Sequence, residues 1–313
     1  MLEYIGKRIL LSIPVMIGVL TVSFLVIRLI PGDPVKLMLG INATPEAVAQ
    51  VEENLGLDQS LGQQLVSFAT GAVSLDFGDS IIRRTSVREL ILDRIAPSLY
   101  LIVGAVLVAV MLAVPLGVLS AVRRNQPVDH VVRLVSMVAF AMPTFWLGLM
   151  LALLFGLELD LLPVSGYGDG LFGAIEYLIL PWVTLGLYLA PMLLRTLRTT
   201  MIDTMGSEYV EAAHARGLGP RRVIGIHALR PSLIPLITVL SINVGFLISG
   251  TVVVENVFQI PGLGSLLVQS VLSRDYPVIQ GLVFVFGLMV IAINLLADVT
   301  YSLLDPRVRL GAS

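Results

Sequence analysis

Apolar residues run along this chain in long unbroken stretches, not in the alternation of a half-buried strand. Six stretches carry no charge: Ile9 to Ile27, Ser98 to Val122, Leu134 to Leu157, Tyr177 to Leu194, Pro231 to Val254 and Tyr276 to Ala297. About 20 apolar residues cross a bilayer as a helix, and a charge in hydrocarbon is costly, so each stretch predicts a membrane-crossing helix. The fourth is the shortest and holds Pro181 and Pro191. A proline within a span frees a backbone carbonyl that only a neighbouring helix or a lined cavity can satisfy. The pattern predicts an all-α integral membrane protein with six transmembrane helices bundled around a pathway.

The polar stretches between these runs carry their own signals. After the first run, Thr44 followed by Pro45 and Glu46 opens a helix that Gly56 stops. A second helix is predicted from Leu61 to Thr70, with Leu61, Leu65 and Phe68 on one face and Gly71 after it. SVRE at Ser86 to Glu89 is a capping box that opens a short amphipathic helix with Leu90, Ile91 and Ile95. Farther on, Glu208 to Pro220 reads EYVEAAHARGLGP. Ser207 is placed to cap this helix, Glu208 and Glu211 favour its positive end, Arg216 its negative end, and Gly217 permits a left-handed exit. Tyr209, Ala212 and Ala213 share one face, and the alanine pair leaves it flat enough for another protein to approach. Pro220 then starts a second helix that leads through HALRPSLIP into the fifth run. The chain divides into a first span at residues 1–30, an external helical loop at 31–96 and a five-helix core at 97–313, with the polar loop at 195–230.

Composition supports the same class. Of 313 residues, 56% are hydrophobic and 13% charged, and the mean hydropathy is +0.92. That is too little polar surface to cover a soluble globule. A net charge of −2 with no basic stripe excludes nucleic acid as a partner. The absence of cysteine excludes disulfides and thiolate metal sites, and three scattered histidines offer no imidazole metal site. Lys7 and Arg8 precede the first run, yet its apolar region exceeds the about 7 to 15 residues of a signal peptide and IRLIPGDP offers no small-residue cleavage site. It reads as an uncleaved anchor.

Lys and Arg set the expected orientation. One side collects Lys7, Arg8, Arg123, Arg124, Arg133, Arg195, Arg198, Arg216, Arg221, Arg222, Arg230, Arg307 and Arg309, whereas the opposite short loops hold only Arg274. Both termini are therefore expected in the cytoplasm. His130, His214 and His227 all fall in loops on that side, which leaves an intramembrane hydrolase without a base in the spans. A secondary transporter needs ionisable groups near mid-membrane, but Arg28, Arg195, Arg198 and Asp298 sit at span ends. The mid-span Asn243 and Asn294 read as helix-to-helix hydrogen bonders. No G-x-x-x-x-G-K-[ST] loop exists, and the only lysines are Lys7 and Lys36. The chain cannot cradle ATP phosphates, so energy must come from a partner.

At Glu211 to Gly217, EAA followed three residues later by glycine resembles the EAA motif of the inner-membrane permeases of ATP-binding-cassette (ABC) importers. IPGDP at Ile30 to Pro34, LGLDQ at Leu55 to Gln59, VVVENVFQIPGLGSLL at Val252 to Leu267, RDYPVIQ at Arg274 to Gln280 and LDPRVR at Leu304 to Arg309 resemble the first permease subunit of dipeptide, oligopeptide, glutathione and nickel importers. One departure lies at His227 to Arg230. The general motif continues there as Ile-x-Leu-Pro and the peptide branch as HxLRN, whereas here Pro231 replaces the asparagine, which puts the local helix break in question.

The resemblance implies a type I importer permease without a cofactor of its own, ATP being bound by partners. Those partners are a related second permease, two ATPase subunits and an extracytoplasmic solute-binding protein that delivers peptide-like solutes, in a bacterial inner or plasma membrane. It implies coupling to the ATPase through Tyr209, Glu211, Ala212, Ala213, Gly217 and Arg221, and a translocation pathway reached by Asn243, Glu255 and Asn294. The Val87 to Ile95 helix and the Val257 to Gly264 segment are expected to meet the binding protein or frame the outer gate. An ion-coupled secondary transporter is the alternative.

Overall fold

The computed structural model describes residues 2–26, 28, 35–36, 43–54, 56–168 and 170–304. The motif at 30–34, Leu55 of LGLDQ and residues 305–309 lie outside them. The described chain is helical, with one isolated bridge between Asp79 and Ser86. In order come α1 (Leu2–Val26), α2 (Pro45–Asn54), α3 (Leu61–Ser74), α4 (Val87–Val122), α5 (Pro127–Ala141), α6 (Thr144–Glu158), α7 (Gly170–Met205), α8 (Glu208–Ala215), α9 (Pro220–Val257), α10 (Leu263–Ser273) and α11 (Tyr276–Leu304). Four of these, α4, α7, α9 and α11, are long and apolar enough to cross a membrane, and α5 with α6 makes a fifth if the bent pair is one span. In α1 the apolar helix covers Leu10–Leu25.

Expectations about the third run and the Val87 helix are corrected. The third run is not one straight span, because α5 and α6 meet at an angle of 105°. Met142 there is extended, at φ −79° and ψ 130°. Pro143 explains it, since its ring pushes the preceding residue out of the helical region. The fourth run keeps its place as a span, within a helix of 36 residues that passes through both Pro181 and Pro191. The helix opened at Val87 does not stand apart either: it is the first part of the 36-residue α4.

The chain packs as two units. In the first, residues 1–5, 99–260 and 293–313, α9 packs most extensively on α7. Ala105, Ala109 and Ala113, spaced four apart on α4, are wholly buried in one core with Leu185, Leu189, Leu193 and Leu197 of α7. Small residues let the backbones close in. At Gly104 a Cβ would lie 2.1 Å from the Trp182 ring, whose Nε1 donates to the Tyr100 carbonyl at 3.0 Å.

The second unit takes residues 6–98 and 261–292. Phe24, Phe68, Phe77 and Phe284 form a ladder with centroids 5.7–6.0 Å apart. Thr44 caps α2 by accepting from the Ala47 amide at 3.2 Å, and Gly56 takes φ +61°, as the sequence predicts. In α3, Phe68 turns to the ladder while Leu61 and Leu65 are exposed, so the expected single apolar face is split. Nor does Gly71 end α3: its missing Cβ makes room for the Asp76 carbonyl, which would lie 2.3 Å away, and the helix ends at Leu75 in the left-handed region. The RDYPVIQ motif is a staple of this unit. Asp275 is buried and accepts from the Ser80 hydroxyl and from the Ile81 amide at 3.3 Å. Gln280 donates to the Ser23 carbonyl at 3.1 Å.

Candidate functional site

The EAA segment folds as the eight-residue α8 between the long helices α7 and α9. Ser207 has the extended N-cap backbone, φ −84° and ψ 148°, but its side chain does not cap. Its Oγ donates to the Thr204 carbonyl at 2.6 Å, which the Ser207 amide also reaches at 3.1 Å where α7 ends. The C-terminus is a complete Schellman motif. Gly217 at φ +77° donates to the His214 carbonyl at 2.9 Å, and Leu218 donates to the Ala213 carbonyl at 3.3 Å. A Cβ on Gly217 would meet nothing within 4 Å, so its glycine is required by backbone conformation and not by space.

The two alanines of the motif face different ways. Ala212 is exposed, whereas Ala213 is only 5% exposed and packs with Val210, Leu218 and Val223 in a small core of its own. The expectation of one flat face made by Tyr209, Ala212 and Ala213 is corrected accordingly. Ala213 sits at the C3 position of the Schellman motif, where contact with the residue two past the cap, here Leu218, completes the turn. Glu211, Arg221 and Tyr209 are exposed, Tyr209 by 46%. Of the predicted coupling residues, Tyr209, Glu211, Ala212 and Arg221 thus face outward, beside the exposed Glu208, His214, Ala215 and Arg216.

From Pro220 the chain runs helically to Val257 without a break. Val223–Leu229 widens into π turns, and α spacing resumes at Arg230 with Pro231 following. The local helix break, which the motif departure put in question, is absent. A helix tolerates proline in its first turn, where the amide has no partner to lose. The resumption of α spacing after the π turns supplies such a position.

Asn243, Glu255 and Asn294 do not form a cluster. Asn243 and Glu255 are on α9, and their separation of twelve residues is about 18 Å along the axis. Asn243 donates to the Val239 carbonyl at 2.7 Å, Glu255 is fully buried, and Asn294 on α11 is exposed. In the Val257 to Gly264 segment, Phe258, Ile260, Leu263 and Gly264 are buried, leaving Gln259 and Pro261 as its exposed points. Val87 and Ile91 are buried toward Gly281, while Arg88, Glu89 and Leu92 are exposed.

One constellation escaped sequence reasoning. Asp129, in the first turn of α5 and 0% exposed, accepts from Arg198 Nε at 2.8 Å and Nη2 at 2.7 Å, from the Ser120 hydroxyl at 2.5 Å and from the Asn125 amide at 2.9 Å. This fork-to-carboxylate pair ties α4, α5 and α7 together. The available signal was an acidic residue two places after Pro127 in an otherwise basic loop, with an arginine at the edge of the fourth apolar run.

Residues 113–310 match the family described as "Binding-protein-dependent transport system inner membrane component", and residues 1–102 match its N-terminal counterpart. The chain is 38% identical over 309 residues to the glutathione transport system permease protein GsiC of Salmonella typhi, covering 99% of each. It is 36% identical over 336 residues to the dipeptide transport system permease protein DppB of Escherichia coli K12, again covering 99% of each. Its fold resembles a chain of the inward-facing MetNI methionine ABC transporter, with TM-score 0.59 at 17% identity, covering 69% of this chain and 96% of that one. A helical chain of apolar spans, interrupted by an EAA helix with a glycine stop and matched end to end by such relatives, belongs to the family of binding-protein-dependent transport system inner-membrane components and is a multi-pass permease subunit of an ABC importer.

Proposed function

We propose that this chain forms half of the translocation pathway for peptides or peptide-like small solutes, crosses the membrane six times with both termini in the cytoplasm, and is driven through α8 by an ATPase subunit. A related second permease, a second ATPase subunit and an extracytoplasmic binding protein complete the assembly. The observation that carries this reading is the build of α8. A rigidly stopped helix lies between two spans, fastened on one side to its own chain by Val210 and Ala213 and exposed on the other through Tyr209, Glu211, Ala212 and Arg221. A short helix so fastened moves as a body with the start of α9. The names of the relatives, which speak of glutathione and of dipeptides, support the solute class, and the Lys and Arg bias of the loops supports the orientation.

Two measurements test this. Single cysteines at the exposed Gln259 and Arg88 are expected to react with impermeant reagents from outside, and cysteine at Ala212 from the cytoplasm only. Reconstituted alone, the chain is expected neither to bind nor to hydrolyse ATP, with uptake requiring the ATPase and the second permease. Labelling with the opposite sidedness, or ion-driven uptake by this chain alone, would overturn the reading.

A further inference from the structure

α8 and α9 are connected by more than the turn at Leu218 and Gly219. The Tyr209 hydroxyl donates to the backbone carbonyl of His227. The Tyr209 and His227 rings lie 6.4 Å apart between centroids at an interplanar angle of 54°. The same π-turn segment also supplies Val223 to the small core around Val210 and Ala213. Tyr209 is thus half-exposed along its ring but committed at its tip to its own chain.

The carbonyl it holds is one that α9 cannot serve well by itself. In regular α spacing the His227 carbonyl would accept from the amide four residues on, and that residue is Pro231, which has none. The return from π to α spacing passes over a further carbonyl just before it. One hydroxyl stands in at this point, that of Tyr209, which donates to His227; Ser232 Oγ donates at 2.8 Å to the Ala228 carbonyl, which the Ser232 amide serves in α spacing. The serine is a local donor on the same helix. The tyrosine comes from another helix, 18 residues earlier. Pro235, one turn beyond Pro231 on the same face, withholds a second amide from the ladder. α9 is therefore most easily deformed where Tyr209 grips it.

We propose that Tyr209 is a positioning residue that transmits the displacement of α8 to α9, its hydroxyl pulling on the His227 carbonyl at the softened Pro231 turn. Tyr209 then acts within its own subunit, leaving Glu211, Ala212 and Arg221 as the surface offered to the ATPase. This rests on the reading of α8 as the ATPase-driven helix.

The test uses the full assembly in membrane vesicles and three variants: Tyr209→Phe, Pro231→Ala and the double variant. Three quantities are read: the ATPase subunits that co-purify, ATP hydrolysis, and uptake of a radiolabelled dipeptide. Tyr209→Phe removes only the hydroxyl. It is expected to lower uptake per ATP hydrolysed by about fivefold, the worth of one hydrogen bond, with ATPase co-purification unchanged. Pro231→Ala returns an amide to the His227 carbonyl. If the hydroxyl only fills an empty acceptor, the double variant recovers wild-type coupling. If it transmits movement, the double variant stays uncoupled, because the link between the helices is still missing. Wild-type coupling in Tyr209→Phe, or recovery in the double variant, overturns the proposal. Loss of ATPase co-purification in Tyr209→Phe also overturns it, by placing Tyr209 in the docking surface, and leaves the driven-helix reading intact.

Discussion

Asp129, itself without solvent exposure, gathers an arginine fork, a serine hydroxyl and a backbone amide, while Arg198 keeps 17% of its side chain exposed and Arg133 Nε lies 3.6 Å from the carboxylate. A buried pair of this kind is weak evidence for net stability, yet removing one partner strands a charge. Asp129→Ala or Arg198→Ala is expected to destabilise the detergent-purified chain by about 3 kcal/mol or more. The double substitution should cost clearly less than the sum, with a coupling energy of at least about 1 kcal/mol. Thermal unfolding of the four proteins measures the cycle, and additive costs would show that the pair does not act as a unit. Gly217 raises a separate issue at the same scale. Its positive φ makes a left-handed conformation costly for any residue with a Cβ, by about 1–2 kcal/mol, while open space around it removes any clash. The glycine was legible because a helix followed by Gly predicts a left-handed stop. The inward turn of Ala213 was not, since a helix of eight residues with two adjacent alanines gives no periodicity from which to choose its buried side.

Among the elements, the bent pair of α5 and α6 departs most from its hydrophobic pattern. An uninterrupted apolar run signals depth in the membrane but not direction, and the local restriction at Met142 and Pro143 decides the geometry. The 20 residues from the exposed Met137 to the exposed Leu157 would span about 30 Å in a straight helix. With a 105° bend, nitroxides at these two positions are expected to lie well short of that distance in the assembled transporter. A distance near the straight-helix value would contradict the bend. Helix existence was legible where cap and stop are local chemistry, as from Thr44 at the start of α2 to Gly56 at its end, whereas α10 was not foreseen. The fusion of the Val87 helix with the second span was not, because a charged amphipathic turn and an apolar span read as separate segments until packing joins them. For the same reason, RDYPVIQ was recognisable as a motif before it had a physical role. Its Asp275 is explained only by Ser80 and Ile81, nearly two hundred residues earlier.

For the whole molecule, the central matter is whether α8 is the place where an ATPase subunit takes hold. Ala213→Trp does not answer it, because Ala213 is buried in the chain's own small core and a large side chain there would overpack it at a cost of about 1–3 kcal/mol. Ala212 is exposed on the same helix. Substitution there is expected to change stability by no more than about 0.5 kcal/mol, as at other surface sites. The most direct measurement is therefore co-purification of the ATPase subunits with the Ala212→Trp chain, together with dipeptide uptake by cells that express the complete transporter. A docking role for α8 predicts normal membrane insertion, a loss of ATPase association of about tenfold or more, equivalent to 1.4 kcal/mol, and a matching loss of uptake. Wild-type association and uptake in Ala212→Trp would contradict that role and leave α8 as a connector between spans.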